Sequence, residues 1–143
     1  MVKKIAKRSA TRKKKAAIAE TIASILARHQ EIYCVYIHGS FINGDLFADI
    51  DLGLLLVHPP ENLLEYEFEV EIAIENQLNF PVDVRVLNNA PISFIQNVIR
   101  YGKVILDKKP NTRSDFESYS LRKYFDFAPF RRRYLAEVIN API

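Results

Sequence analysis

The chain has 143 residues, of which 49% are hydrophobic and 26% are charged, and its formal net charge is +3 at pH 7. This length suits one domain with its own core and leaves little room for a second. No apolar run approaches the ~20 residues of a membrane-spanning helix, and no apolar segment of a secretion signal follows the basic start. We therefore expect a cytoplasmic protein in which the single cysteine, Cys34, is a small core residue.

The positive charge is concentrated at the N-terminus. Residues 1–15 contain eight Lys or Arg and no acid, which leaves twelve basic and seventeen acidic residues in the rest of the chain. We expect a basic arm over 1–15 and a single domain over 16–143. The arm is either a solvated terminus or a contact for RNA or another anionic partner. Because no aromatic residue interleaves these charges, the first interpretation is favoured.

The chain begins with alternating helical and extended patterns. Apolar residues at helical spacing predict a first helix that Ser9 or Thr11 caps and that ends near His29. An apolar run then predicts a buried strand, and a Gly-Ser turn leads from it through a short helical stretch into a second strand that ends at two prolines. These three segments are predicted at 32–37, 41–44 and 48–57.

Residues 61–79 fit two patterns. Glutamates alternate with apolar residues over 65–72, as in a strand, whereas Leu63, Tyr66 and Val70 share one helical face. The segment is long for a strand, and leucine and glutamate favour helices, so we predict a helix. A helix here could join two parallel strands, while a longer return would join them antiparallel.

The second half of the chain continues with shorter elements. A strand is predicted at 80–87, and Pro91 and Gly102 are placed to begin and end a helix. The remaining expectations are a short strand at 104–106, a helix over 112–127 with Ser114 and Glu117 as a capping box, a break at Pro129, and a final turn or two from Arg131 to Tyr134.

Residues suited to phosphate chemistry lie around the second strand. Asp49 and Asp51 are two positions apart in an extended segment, so their side chains point the same way, roughly 6–7 Å apart. Paired carboxylates bind hard divalent cations. Upstream, Gly39 and Ser40 open a turn whose backbone N–H groups are available to a phosphate, and Gly44 permits the chain to turn.

A third carboxylate is available on the third strand. Asp83 alternates with valines, so its burial without a partner would be costly and a metal ion would supply that partner. The alternative is an edge or turn position. Arg85 lies beside it and either balances triphosphate charge or forms a salt bridge with an aspartate. His38 is interpreted as shaping the turn, and His29 as a surface residue. Three carboxylates around two cations fit metal-dependent nucleotidyl transfer.

The pattern Gly39-Ser40, Gly44, Asp49-x-Asp51 resembles the signature of DNA polymerase β-like nucleotidyltransferases, and the short chain resembles their minimal nucleotidyltransferase (MNT) branch. The resemblance implies an α/β (α+β) fold with a small mixed sheet flanked by helices and with C-terminal helices. Further segments carry the likeness over residues ~14–139. They are Pro-Val-Asp-Val at 81–84, Asn-x-Ala-Pro at 88–91, Gly-Lys-Val-Ile-Leu at 102–106 and Tyr-Phe-Asp-Phe-x-Pro at 124–129.

The resemblance also implies a function. Many MNT proteins are antitoxins that transfer AMP onto a tyrosine of a HEPN-domain ribonuclease toxin encoded beside them. The resemblance implies the same function for this chain, with ATP as substrate and two Mg²⁺ ions. Two alternatives are an antitoxin that only binds and occludes the toxin, and an enzyme that modifies a small molecule such as an aminoglycoside. The residues implied are Gly39, Ser40, Gly44 and Arg85 for the nucleotide, and Asp49, Asp51 and Asp83 for the metal and catalysis.

This chain departs from the usual pattern at two places. Relatives often carry a basic residue between the serine and the second glycine, where this chain has Phe41, Ile42 and Asn43. The residue before the first aspartate is commonly serine and here is Ala48. Both departures leave the three aspartates intact. The chain also lacks the Arg-x4-His-x-Tyr motif of the toxin side, which indicates that it is the MNT partner.

Overall fold

A computed structural model describes residues 8–140. The four strands form one sheet in the order β3-β2-β1-β4, in which β1 is antiparallel to β2 and β4, and β2 is parallel to β3. The predicted small mixed sheet with flanking helices is therefore confirmed. The elements are α1 (Arg12–Ala27), β1 (Ile32–His38), α2 (Ser40–Asn43), β2 (Ile50–Leu56), α3 (Leu63–Glu75), β3 (Val82–Val86), α4 (Ile92–Tyr101), β4 (Lys103–Asp107) and α5 (Pro110–Asn140).

Helices cover both faces of the sheet, so β1 is buried along its whole length. On one face, α1 and α3 pack on the aliphatic residues of the central strands, with Ile22 and Ile74 fully buried. On the other face, α4 and the start of α5 pack through Val98 and Phe116 on a smaller cluster that includes the fully buried Cys34, as predicted. Burial of these apolar side chains is the main source of stability.

The segment 61–79 contains the predicted helix, which is α3 (Leu63–Glu75). The side chain of Asn62 caps α3 by accepting the backbone N–H of Glu65 at 3.1 Å. Because β2 and β3 are parallel, α3 is the crossover that connects them. The apolar face contributes Val70 and Ile74 to the core, which explains why the helical pattern prevails over the alternating one.

Three glutamates of this segment, spaced four residues apart, have a structural role that a strand interpretation would not reveal. β3 lies at the edge of the sheet, where backbone N–H groups lack a neighbouring strand. Three glutamates on successive turns of α3, which we call the glutamate ladder, accept those N–H groups and so fix β3 against α3. The bonds join Glu67 to Val86, Glu71 to Val84 and Glu75 to Val82, at 2.7, 2.8 and 2.9 Å respectively.

Two predictions for the C-terminal segment are wrong. The last helix begins at Pro110, so Ser114 and Glu117 lie within it and form no capping box. The helix also continues through Pro129 to Asn140, whereas a break was predicted there. Proline removes one N–H donor and crowds the preceding turn, but the hydrogen bonds on either side of it are sufficient to continue this helix.

Other helix ends follow their sequence signals. The hydroxyl of Thr11 caps α1 by accepting the backbone N–H of Lys14 at 3.1 Å, and α4 lies between Pro91 and Gly102 as predicted. Of the predicted basic arm, residues 12–15 form the first turn of α1 and residues 1–7 lie outside the described part. Within residues 8–140, no helix combines the length and apolar character needed to span a membrane.

Candidate active site

A tight turn joins β1 to α2 and lies against β2. Gly39 has a φ of 78°, in the left-handed region that glycine adopts at least cost. A Cβ at this position would also collide with Oδ2 of Asp51, so both the backbone and the space require glycine. Ser40 follows at the exposed start of α2, and the N–H of Gly44 closes the turn on the Ser40 carbonyl at 2.8 Å.

Strand register brings the three predicted aspartates together. Asp51 of β2 lies beside Asp83 of β3 in the parallel pair, and Asp49 immediately precedes β2. One carboxylate oxygen of each residue lies within 4.8 Å of the others, and all three residues are half-buried. We call these three residues the aspartate triad. Its members come from two strands that α3 holds in parallel, so the crossover determines the site.

The aspartate triad carries more negative charge than its surroundings balance. Burial, followed by the charges of Asp49 and Asp83, raises the pKa of Asp51 to about 6, against a smaller lowering by Arg85. Arg85 Nε lies 3.4 Å from Asp83 Oδ1, and 60% of its side chain is exposed, so the pair is weakened by solvent. Three converging carboxylates, one of them with a raised pKa, form an oxygen-donor set that a hard divalent cation fits and neutralises.

His38 is a neighbour of the triad that sequence analysis assigned only to the turn. It lies opposite Asp51 in the β1–β2 pair, so it shares the face of the triad. The residue is 9% exposed, its ring packs edge-on against Phe94 at 5.8 Å, and its Nε2 has no hydrogen-bond partner within residues 8–140. Burial lowers its pKa, against a raising effect of Asp83, so the ring is neutral at pH 7. The sequence did contain a signal for this position: His38 follows Tyr36 by two residues, so both side chains lie on the same face of β1.

Positive charge near the turn comes from α1. Lys15 Nζ donates a hydrogen bond to the carbonyl oxygen of Gly44 at 2.9 Å and lies 5.5 Å from the ring centroid of Phe41. A groove of about 750 Å³ runs beside α2 and is also lined by Arg12 and Lys103. Relatives often carry a basic residue within α2, and this chain does not. Basic side chains on neighbouring elements supply positive charge beside α2 instead. Sequence analysis missed Lys15 because its distance from the turn along the chain hid the contact.

The chain belongs to the polymerase beta nucleotidyltransferase family. The model of that family matches residues 20–111, which is more than half of the chain and includes the Gly-Ser turn, the aspartate triad and Arg85. Family and fold together identify the protein as a nucleotidyltransferase, as the sequence predicted.

Solved structures show which members of the family the fold resembles. A tri-AMPylated Shewanella oneidensis HEPN toxin in complex with MNT antitoxin matches with a TM-score of 0.73 at 19% identity, over 87% of this chain and 98% of that chain. The toxin–antitoxin pair MntA–HepT matches at 0.71 and 18%, over 87% and 98%. A toxin–antitoxin structure with AMP-PNP matches at 0.74 and 20%, over 85% and 98%. These matches confirm the resemblance to MNT proteins; no protein with a curated description matches the chain.

Proposed function

We propose that this protein is a magnesium-dependent adenylyltransferase that transfers AMP from ATP to a tyrosine of a cognate HEPN ribonuclease toxin and thereby acts as an antitoxin in the cytoplasm. The observation that carries the proposal is the convergence of three carboxylates within 4.8 Å beside a glycine-dependent turn. The donor and the acceptor are supported by the similar structures, one with AMP-PNP and one with a tri-AMPylated HEPN toxin.

The metal-binding role falls to the aspartate triad. Asp49, Asp51 and Asp83 would hold two Mg²⁺ ions, because their oxygens converge and because burial, together with the two neighbouring negative charges, raises the pKa of Asp51. When bound, such ions polarise the triphosphate and acidify an attacking hydroxyl.

The turn and its neighbours would hold the nucleotide. The absence of a side chain at Gly39 lets a phosphate approach the backbone, Ser40 donates its hydroxyl and N–H to the β- or γ-phosphate, and Gly44 keeps the turn closed. Arg85 is exposed beside the triad and balances triphosphate charge when a cation takes its place beside Asp83. The tyrosine hydroxyl loses its proton to solvent, its oxygen attacks the α-phosphorus, the bond to the β-phosphate oxygen breaks, and pyrophosphate leaves.

The proposal is tested by expressing the chain together with the HEPN protein encoded beside it and measuring the mass of the partner. We expect the partner to gain one or more whole AMP units, and we expect Asp49→Ala or Asp51→Ala to prevent the gain. Protection from the toxin without a mass change would replace the proposal with occlusion. A mass gain on an added aminoglycoside instead of the partner would replace it with a small-molecule enzyme.

A further inference from the structure

The second half of α5 extends beyond the body of the protein. Ser120 is the last buried residue of the helix, and from 121 to 139 only three residues are even half-buried. Eight large apolar residues in this part are 45–80% exposed. An exposed apolar surface of this density is characteristic of an interaction site. These residues are Leu121, Phe125, Phe127, Phe130, Tyr134, Leu135, Val138 and Ile139.

One face of the exposed half continues the face that packs on the body. Phe116 and Ser120 contact the body, and the positions that follow at spacings of four and three residues lie on the same side of the helix. We call this set the α5 stripe, and it extends about 21 Å along the helix. Its members are Tyr124, Phe127, Arg131, Tyr134 and Val138.

Arg131 is held in position at the centre of the stripe. Its Nη2 donates to the carbonyl oxygen of Tyr124 at 2.9 Å, and its guanidinium carbon lies 4.1 Å from the ring centroid of the same tyrosine. No carboxylate of residues 8–140 forms an ion pair with it. A cation fixed between aromatic residues matches the composition of interface hot spots, and its free side is available to a carboxylate of a partner.

A second copy of this chain does not fit the stripe. Arg131 is the midpoint between Tyr124 and Val138, so a two-fold axis through the stripe, parallel or antiparallel, would place Arg131 opposite itself. The exposed half also holds five basic and two acidic residues between 121 and 139. Like charges would therefore meet in a desolvated interface, which is unfavourable. The complementary occupant is a different protein that offers an apolar surface bordered by carboxylates.

We propose that the α5 stripe is the surface on which the toxin partner docks, and that the partner presents an acidic residue to Arg131. This inference relies on the proposed function, which identifies the partner. It separates docking from chemistry, because the stripe lies on the helix that follows the edge strand β4, whereas the aspartate triad lies on β2 and β3, towards the opposite edge of the sheet. Anchoring on α5 leaves the triad open for ATP and the acceptor tyrosine.

The test compares two double variants of the full chain by calorimetric titration with the purified HEPN partner. Phe127→Ser with Tyr134→Ser removes two aromatic residues of the stripe, and we expect at least tenfold weaker binding. Arg122→Ser with Asp126→Ser is the control: it replaces two exposed residues on the opposite side of the same helix and keeps the net charge, so less than a twofold change is expected. Both pairs are exposed, so thermal unfolding of the free variants should match that of the parent.

Charge reversal tests the acidic complement independently. Arg131→Glu should weaken binding at least tenfold, whereas Arg122→Glu, an exposed position outside the stripe, should change it less than twofold. Equal binding by the stripe variants, with AMP transfer intact in the parent, would overturn the docking surface and leave the proposed function standing. A parent that neither binds nor modifies the partner would overturn both. A dimer of the parent that the stripe variants dissociate would assign the stripe to a second copy.

Discussion

Carboxylates gather at two places on one side of the sheet, and their surroundings differ. Where β4 meets α5, Arg113 donates to Asp107 at 2.7 Å and to Glu117 at 2.9 Å, and the hydroxyl of Tyr36 donates to the same oxygen of Glu117 at 2.5 Å. We call this cluster the Arg113 network. At the aspartate triad, three carboxylates share one exposed cation, Arg85, at 3.4 Å from the nearest oxygen.

The difference separates two uses of acidic side chains in one small domain. In the Arg113 network, each carboxylate has a close donor, and these charge-assisted bonds fasten α5 to the sheet. In the triad, burial and then repulsion from the other two carboxylates raise the pKa of Asp51 to about 6, which disfavours the ionised state in the absence of a cation. Carboxylates that the fold leaves without a close donor therefore indicate the functional site, and carboxylates held by short charge-assisted hydrogen bonds indicate a structural one.

Replacing a carboxylate of the triad should have the largest effect on activity. We expect Asp51→Asn to lower the rate of AMP transfer by roughly 10³-fold or more, because one metal ligand and its charge are lost. The rate is measured by mass spectrometry of the partner over time. Asp115→Asn, at an exposed position of α5, serves as the control and should retain the parent rate. A rate within tenfold of the parent for Asp51→Asn would place catalysis elsewhere.

Replacing the cation of the other cluster should affect stability instead. Arg113→Met keeps the length of the side chain but leaves Asp107 and Glu117 without their shared donor. We expect a loss of about 2–3 kcal/mol in the free energy of unfolding, measured in urea, with little change in transfer rate per folded molecule. Arg122→Met on the exposed side of α5 is the control. Unchanged stability would mean that solvent already screens the network. The Arg113 network would then not be a structural counterpart of the aspartate triad.

The raised pKa of Asp51 predicts a pH dependence of the metal-free protein. The folded-state pKa of about 6 lies above the reference value of 3.8, so the unfolded chain loses this proton first as the pH rises. The contribution of Asp51 to stability is therefore complete below the reference value and is lost as the pH rises towards 6. We expect Asp51→Asn to be more stable than the parent by about 1–2 kcal/mol at neutral pH, in urea unfolding with a chelator present. At low pH the two proteins should converge, and a constant difference would refute the assignment.

The candidate site could be predicted because its signals are local or periodic. Gly39, Ser40, Asp49 and Asp51 lie within one short segment, and strand alternation places Asp83 on the face of β3 opposite the buried valines. What no pattern contained was the surrounding tertiary structure. His38 borders the triad only because β1 pairs with β2 in a particular register, and positive charge near the turn comes from α1.

The errors in the fold also have physical causes. The break predicted at Pro129 assumed that a missing hydrogen bond ends a helix, but the helix continues to Asn140. The capping box assigned to Ser114 and Glu117 used a local motif, whereas Glu117 is bound by Tyr36, a residue far away in the sequence. Local rules identify which residue types can cap or break a helix, and the surrounding structure decides whether they do.

Weakening the glutamate ladder should have the smallest effect. The ladder positions β3, and through β3 it contributes to both stability and metal binding. Glu71→Met would leave the N–H of Val84 without an acceptor beside Asp83, at the edge of the sheet. We expect a loss of about 1–2 kcal/mol in the free energy of unfolding, together with weaker Mg²⁺ binding by calorimetry, because β3 sets the position of Asp83. Glu69→Met, exposed on the same helix, should change neither quantity. If Glu71→Met lowered stability but left Mg²⁺ affinity at the parent value, the register with β2 alone would be sufficient to place Asp83, and the ladder would belong with the Arg113 network as a purely structural device.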